Sequence, residues 1–506
     1  MNRRQRFYLN GAILTAVNLA LRGVGLFFAA YIARAVGAEG VGLNTLIMTL
    51  YAFALTLAGS GISLSVTRLV AAAVAECDRE KGVSGVLKGA FVYSSLFGFG
   101  SAAAMFLLSD PLASLLLHYP SASLCLKALA LSLPPVAYGG IISGYFVGVK
   151  RVSRNALVQV FSQLFRVFAT VWLVTAMAGR GVAFAVLAIS LGTLISEWAC
   201  LFFSLIVFLI DRRGQSRAKR GKLSPVAKMA LPLAVSTYVR SLLLTLEHSL
   251  IPKRLVDRGD SSAEALSSYG ILHGMALPLI LYPMAPLSSF SGLLVPEFAE
   301  EEARGNLEKM KKIATAAAER TLAYATVVAV LIFFFSEELG YTVYGSYEAG
   351  KFIAFLAPVL PVMYLDHVID GALKGVGEQV YSMWVNIADA CLSVLLVYFL
   401  IPLMGITGYA VVIIAMEAFN FILSFLRLRK RIPFSISLKK GMVIPLFSAF
   451  GAALLSDMLF IREGSGATVF LFALKLVFSL CLTLVFISAF GIARSRRERK
   501  ALQEKQ

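Results

Sequence analysis

Fourteen long apolar runs dominate this 506-residue chain, at about 9–33, 42–66, 86–109, 124–149, 155–178, 183–210, 229–252, 268–296, 313–336, 352–374, 380–402, 405–427, 440–461 and 468–492. The hydrocarbon core of a bilayer, about 30 Å thick, takes about 20 mostly apolar residues per helix, so each run is long enough to cross it. The runs are apolar all round, without the strict alternation of a membrane barrel, and no spacer is long enough for a soluble domain. The reading is an all-α integral membrane protein with fourteen transmembrane helices. With 58% hydrophobic and 15% charged residues, the composition departs from the about 25% charged of a soluble chain. The first run follows Arg3, Arg4 and Arg6 as a signal peptide would, but its length and the lack of a small-x-small cleavage site predict a retained helix.

Placing the charges orients the chain. If the N-terminus lies in the cytoplasm, 35 of the 47 lysines and arginines fall on that side, 8 fall on the other, and 4 (Arg22, Arg166, Arg240, Lys475) lie within runs. A miscounted helix would scramble this alternation, so the split predicts an even number of crossings with both termini cytoplasmic. The net charge of +18 is therefore an orientation signal. Attraction to anionic membrane lipids explains the basic linker at 212–228, and no nucleic-acid partner is expected. Five cysteines, Cys77, Cys125, Cys200, Cys391 and Cys481, sit singly in apolar stretches and read as small buried side chains, with no disulfide framework or zinc site.

The chain repeats itself at a nearly constant offset. Ser109-Asp110-x-Leu112 returns as Ser336-Glu337-x-Leu339, and Gly181-x-Ala183 as Gly408-x-Ala410, each 227 residues on. Pro135-Val136-x-Tyr138 returns as Pro361-Val362-x-Tyr364, and Gly144 and Gly148 are matched by Gly371 and Gly375. Duplication predicts an N-terminal lobe of six helices over 1–211, the linker, a second six-helix lobe over 229–431, helices 13 and 14 over 432–493, and a basic tail over 494–506. An even helix count makes the repeats parallel, and two such halves leave a central cavity, the usual architecture for alternating access.

Charges inside a bilayer are costly and are functional candidates by default. Arg22 lies mid-run in helix 1, with Asn18 one turn before it, and Arg240 takes the same place in helix 7. Guanidinium forks there suit bidentate recognition of phosphate or carboxylate. The alternative is that each caps carbonyls or pairs with an acid, Glu247 for Arg240. Arg166 and Lys475 lie nearer interface depth, where snorkelling accounts for them equally well. Asp366 and Asp370, four apart on helix 10, share a face and could hold a driving proton or sodium ion, with Asp389 in the next helix. Neutralisation by His367 or Lys374 is the alternative. His248 and His273 lack a ligand cluster and read as hydrogen-bonded packing residues, so no metal site or cofactor is expected. There is no GxSxG, no Walker loop, no HExxH and no long external loop with paired carboxylates, which argues against an enzyme.

Several stretches carry a resemblance. Ile32-Ala33-Arg34-Ala35-Val36-Gly37-Ala38-Glu39-Gly40-Val41-Gly42-Leu43, Arg68-Leu69-Val70-Ala71, Gly270-Ile271-Leu272-His273-Gly274-Met275, Leu294-Val295-Pro296-Glu297 and Gly371-Ala372-Leu373-Lys374-Gly375-Val376-Gly377-Glu378-Gln379 resemble the stage V sporulation protein B-like group. That group belongs to the multidrug/oligosaccharidyl-lipid/polysaccharide (MOP) flippase superfamily. The resemblance covers helices 1–12. It implies a bacterial cytoplasmic-membrane flippase that moves undecaprenyl-linked cell-wall or polysaccharide precursors, such as lipid II, for peptidoglycan or sporulation. Arg22 matches the helix-1 arginine of the lipid II flippases, and Glu247 an acid of the group. A second arginine and an aspartate carried by the lipid II flippases are Phe28 and Ala29 here, so the same grip on the head group is not implied. The expected partners are a polyprenyl-diphosphate-linked sugar, membrane lipids and an H+ or Na+ gradient. The competing readings are a cation-coupled multidrug exporter of the same superfamily, against which Arg22 argues, and a non-transporting membrane scaffold.

Overall fold

The structure, a computed structural model, describes residues 3–75, 79–212, 223–459 and 474–486. Every regular element among the described residues is helical. Helix α1 (Arg3–Gly59) runs through the first two apolar runs and is broken at Gly37, whose φ of 71° and ψ of 176° lie outside any helix. Glycine reaches such angles because it lacks a Cβ. The apolar stretch Ala20–Val74 has 55 residues and as one rod would be about 80 Å long, far beyond the bilayer core. The break at Gly37 is therefore what turns one stretch into two crossings.

Helix α2 (Ile62–Ala75) follows Ser60 and Gly61, both at positive φ. Next come α3 (Arg79–Leu107), α4 (Ala122–Ala130), α5 (Leu133–Gly148), α6 (Val152–Met177), α7 (Val182–Asp211) and α8 (Leu223–Arg258). Helix α9 (Ser262–Tyr269) passes through a wider π-helical stretch, Gly270–Ala276, toward α10 (Ala285–Ala303). The remaining helices are α11 (Leu307–Phe334), α12 (Ser336–Tyr344), α13 (Tyr347–Leu356), α14 (Leu360–Gly375), α15 (Gln379–Met404), α16 (Ile406–Arg431), α17 (Ile444–Leu459) and α18 (Leu474–Phe486). Eleven helices among the described residues are long and apolar enough to cross a membrane. With Ala20–Val74 counting twice and α8 lying along the run at 229–252, thirteen of the fourteen expected runs hold a helix long enough to cross, and the shorter α18 lies within the run at 468–492, an arrangement compatible with fourteen crossings.

The helices group into two compact units, Met1–Gly270 with Val397–Gly405, and Ile271–Leu396 with Ile406–Gln506. In the first unit Val66, Val70, Leu87, Ile141, Phe146 and Leu201 form one core across α2, α3, α5 and α7. The glycines of the repeat mark close helix crossings. A Cβ on Gly144 would stand 2.6 Å from the Ser63 carbonyl oxygen, and one on Gly148 2.9 Å from that of Thr67, so α5 lies backbone to backbone on α2. In the second unit a Cβ on Gly371 would overlap Ser291 Oγ, and one on Gly375 would stand 2.9 Å from the Val295 carbonyl oxygen, which presses α14 onto α10. Small residues four apart allow this approach in a membrane, where no hydrophobic force draws helices together.

The connections after α5 and α14 share a second device. Each turns through a left-handed residue, Lys150 at φ 61° and Gly377 at φ 73°, 227 positions apart. Each is clasped by ions, with the polarity reversed. In the first unit Asp211 closes α7 with its side chain fully buried. It pairs with Arg151 of the connection and Arg154 in the first turn of α6, and accepts from the Tyr145 hydroxyl at 2.7 Å. In the second unit the acid is in the connection: Glu378, at the register of Arg151, pairs with Arg427 at 2.8 Å and Arg431 at 2.5 Å on α16. Hydrogen bonds from Arg427, then Arg431, hold the Glu378 carboxyl below its ordinary range.

Two expectations are corrected. Lys475 does not snorkel: it is buried on α18 between Glu338 of α12 at 3.0 Å and Asp457 of α17 at 2.7 Å. Of the cysteines, Cys125 is buried, but Cys391 and Cys481 are exposed, because on a lipid-facing surface a thiol is no worse placed than in a core. Cys77, the segment 213–222 of the linker and the tail 494–506 lie outside the described residues.

Candidate functional site

The first unit encloses an open cavity of about 470 Å³ among α1, α2, α5, α6 and α7. Its polar wall comes from α6. Asn155, Gln159 and Gln163 recur every four residues, and Ser162 and Arg166 fall on the same stripe, so one face of an otherwise apolar span is hydrophilic. Opposite, α7 contributes Glu197 and Ser204, and α5 contributes Ser143 beside Gly139 and Gly140. Glu197 is the one charged side chain among the described lining residues, and Arg166 pairs with it at 2.9 Å. Arg166 is thus held by an acid of the neighbouring helix, and snorkelling is not its role. Leu21 of α1 reaches the same cavity, and a Cβ on Gly25 would stand 3.9 Å from Gln163 Nε2. Arg22 therefore sits on the stretch of α1 that meets α6. It is exposed and makes no ion pair among the described residues.

A second polar group lies in the other unit, where α14, α15 and α16 bring three acids within electrostatic reach of one another: Asp366, Asp389 and Glu417. Asp366 accepts from the Ser424 hydroxyl, while its Oδ1 is buried and has no hydrogen-bond partner among the described residues. Asp370, one turn further along α14, is satisfied differently: Lys374 pairs with it at 2.6 Å and the Ser382 hydroxyl donates to it. Of the two acids that share this face in sequence, only Asp370 has the lysine.

The other expected positions divide. Arg240 is exposed on α8, again with no ion pair among the described residues. Glu247 does not pair with it. It is 6% exposed and lies near Tyr269, whose ring is 6.2 Å from that of His248. His273 shares a hydrogen bond at 3.2 Å with the Tyr409 hydroxyl, a packing contact as its surroundings predicted. The Asn18 side chain lies outside the described residues. Charge scanning missed the amide stripe and the part of Glu417 in the acid group. The stripe was detectable as a four-residue spacing of amides; Glu417 required knowing which helix faces meet. Among the described residues no three acid, histidine or cysteine side chains converge as metal ligands.

The fold is that of the MOP-superfamily transporters. Over 94% of this chain and 98% of that protein it superposes on the lipid II flippase MurJ in an inward closed conformation, with a TM-score of 0.73 and 13% identity. A multidrug resistance MATE family transporter of the MOP superfamily, inward-facing, matches over 83% of this chain and 98% of its own at a TM-score of 0.65 and 17% identity. Residues 8–301 match the family described as polysaccharide biosynthesis protein, and the chain belongs to that family. Residues 258–400 also match the MatE family. Among characterised relatives, stage V sporulation protein B of Bacillus subtilis (strain 168) is 26% identical over 456 residues, 86% of each chain. Sporulation protein YkvU of the same organism is 22% identical over 73% of this chain and 82% of its own. The chain is a multi-pass membrane protein of the polysaccharide biosynthesis family.

Proposed function

We propose that this protein is a flippase for polyprenyl-diphosphate-linked sugars, cell-wall or polysaccharide precursors of the lipid II kind, working by alternating access between lobes 1–211 and 229–431 with both termini in the cytoplasm. The observation that carries the proposal is Arg22, a mid-span guanidinium exposed on α1 with no acid on it among the described residues. An unpaired cation at that depth is costly unless an anionic ligand takes it up, and a diphosphate matches its fork. Arg240 on α8 is free for the same use. Glu247, buried near Tyr269, acts as a supporting residue, and Asn18 stands one turn from Arg22. The polysaccharide biosynthesis family and the MurJ-like fold support a lipid-linked cargo.

Asp366, Asp389 and Glu417 supply the energy input. Three carboxyls within reach of one another inside a membrane are tolerated when protons or a cation neutralise them, and loading and release can be tied to the transport cycle. Asp370, already held by Lys374, secures α14 beside them. A drug exporter would need an uncompensated acid for cationic cargo, whereas Glu197, the acid of the first cavity, is committed to Arg166. The test is complementation of cells depleted of their lipid II flippase. Wild type should sustain growth, Arg22→Ala should fail at normal membrane abundance, and Arg22→Lys should rescue partly. Full growth with Arg22→Ala would refute the anion-binding role.

A further inference from the structure

The first-unit cavity has a chemistry of its own that a diphosphate does not explain. Among the described lining residues Glu197 alone is charged, and Arg166 neutralises it at 2.9 Å, so these residues offer no net charge to an anion or a cation. What they offer is amides. Among the described residues the side chains of Asn155, Gln159 and Gln163 make no hydrogen bond to protein, although each carries two N–H donors and a carbonyl acceptor. Serine hydroxyls from three helices, Ser143, Ser162 and Ser204, complete the polar wall. The Ser204 hydroxyl already donates to the Leu201 carbonyl oxygen at 2.9 Å, so it is the amides that are kept at a cost in such a wall unless they bind something that is itself rich in donors and acceptors.

We infer that this cavity binds an uncharged, polyhydroxylated group: the sugar part of the lipid-linked cargo, read by the amide stripe of α6, while the cationic residues take the diphosphate. The inference rests on the flippase reading above and assigns a separate task to separate residues. The stripe fits it in length as well. Asn155 to Arg166 is eleven residues, or about 16 Å of helix, enough to run alongside one or two sugar rings. Glu197, oriented by Arg166, presents a carboxylate acceptor to hydroxyl donors without attracting cations. A site built to hydrogen-bond a ligand rejects the analogue that lacks those groups, because its own polar atoms are then left unpaired.

The test measures binding of two probes to the full-length protein in nanodiscs, lipid II and bare undecaprenyl diphosphate. Wild type should bind lipid II at least about tenfold more tightly, the worth of two or three net hydrogen bonds. Gln159→Leu with Gln163→Leu should abolish that advantage and leave the bare diphosphate bound as in wild type, and the near-isosteric Gln163→Glu should reduce it. Wild type that binds both probes equally, or variants that lose both probes to the same degree, would overturn the sugar assignment while the flippase reading stands. Wild type that binds neither probe would overturn both. A free disaccharide that competes as strongly as lipid II would also overturn the assignment, since the cavity would then serve a soluble sugar.

Discussion

Exchanging Glu378 for Gln removes one negative charge from the connection between α14 and α15 and leaves two guanidinium groups behind. The residue is 6% exposed, and four hydrogen bonds from Arg427 and Arg431, at 2.5 to 3.1 Å, end on its carboxylate. Summed as charge-assisted bonds, these would amount to more than 6 kcal/mol. The arginines, however, are 34% and 54% exposed. Water takes over much of their hydration once the acid is gone, and the net loss expected is about 2 kcal/mol, or about thirtyfold in the folding equilibrium. The pH dependence follows from the lowered Glu378 value. The unfolded chain protonates at the ordinary glutamate value of about 4.3, so the clasp contributes fully above that pH and its contribution fades as pH falls through the folded value. Unfolding of membrane proteins is commonly irreversible, so the assay is the inactivation half-life in detergent at fixed temperature. Glu378→Gln should shorten it at pH 7.5, and the gap to wild type should narrow as pH is taken down through the lowered Glu378 value. A gap that is constant across this range would mean that packing, not charge, holds the connection, and the clasp argument would fail.

Three more outcomes follow from the geometry. Gly371→Ala drives a Cβ into Ser291 Oγ and should lower thermal stability by about 1–3 kcal/mol; adding Ser291→Ala should recover most of the loss, and no recovery in the double variant would show that the Ser291 hydroxyl is not what the methyl strikes. Lys475→Met leaves Glu338 and Asp457 facing each other without their cation and should loosen α18, seen as faster protease cleavage between α17 and α18. Unchanged cleavage would deny the lysine that role. Asp366→Asn removes one carboxyl of the three-acid group and should make transport insensitive to an imposed proton gradient while cargo binding persists; unchanged gradient dependence would release Asp366 from coupling.

Much of this was open to reading in the sequence, for identifiable reasons. Hydrophobic length is a property of the chain alone, so the crossings could be counted from runs, and the glycine pairs of α5 and α14 could be found because duplication preserved their spacing. Gly37 was visible as a residue but not as the point where a 57-residue helical stretch is broken, since that depends on its conformation. Partner identity was the main loss. Arg166 with Glu197, Lys475 with Glu338 and Asp457, and Asp366 with Glu417 all join residues on different helices, and no spacing rule links them. Of Asp366 and Asp370, the spacing already favours Asp370, four residues before Lys374, and the ion pair forms there. The amides of α6 were passed over because they carry no charge, although their recurrence along one face signals a polar wall as clearly as an arginine does.

The central claim is transbilayer movement of a polyprenyl-diphosphate-linked sugar, and it is most directly measured by the leaflet accessibility of lipid II in proteoliposomes containing the purified protein. Liposomes with wild-type protein should expose lipid II to an external probe faster than empty liposomes, with a rate set by an imposed proton gradient and abolished by Arg22→Ala. Exposure no faster than in empty liposomes, with or without the gradient, would contradict the account.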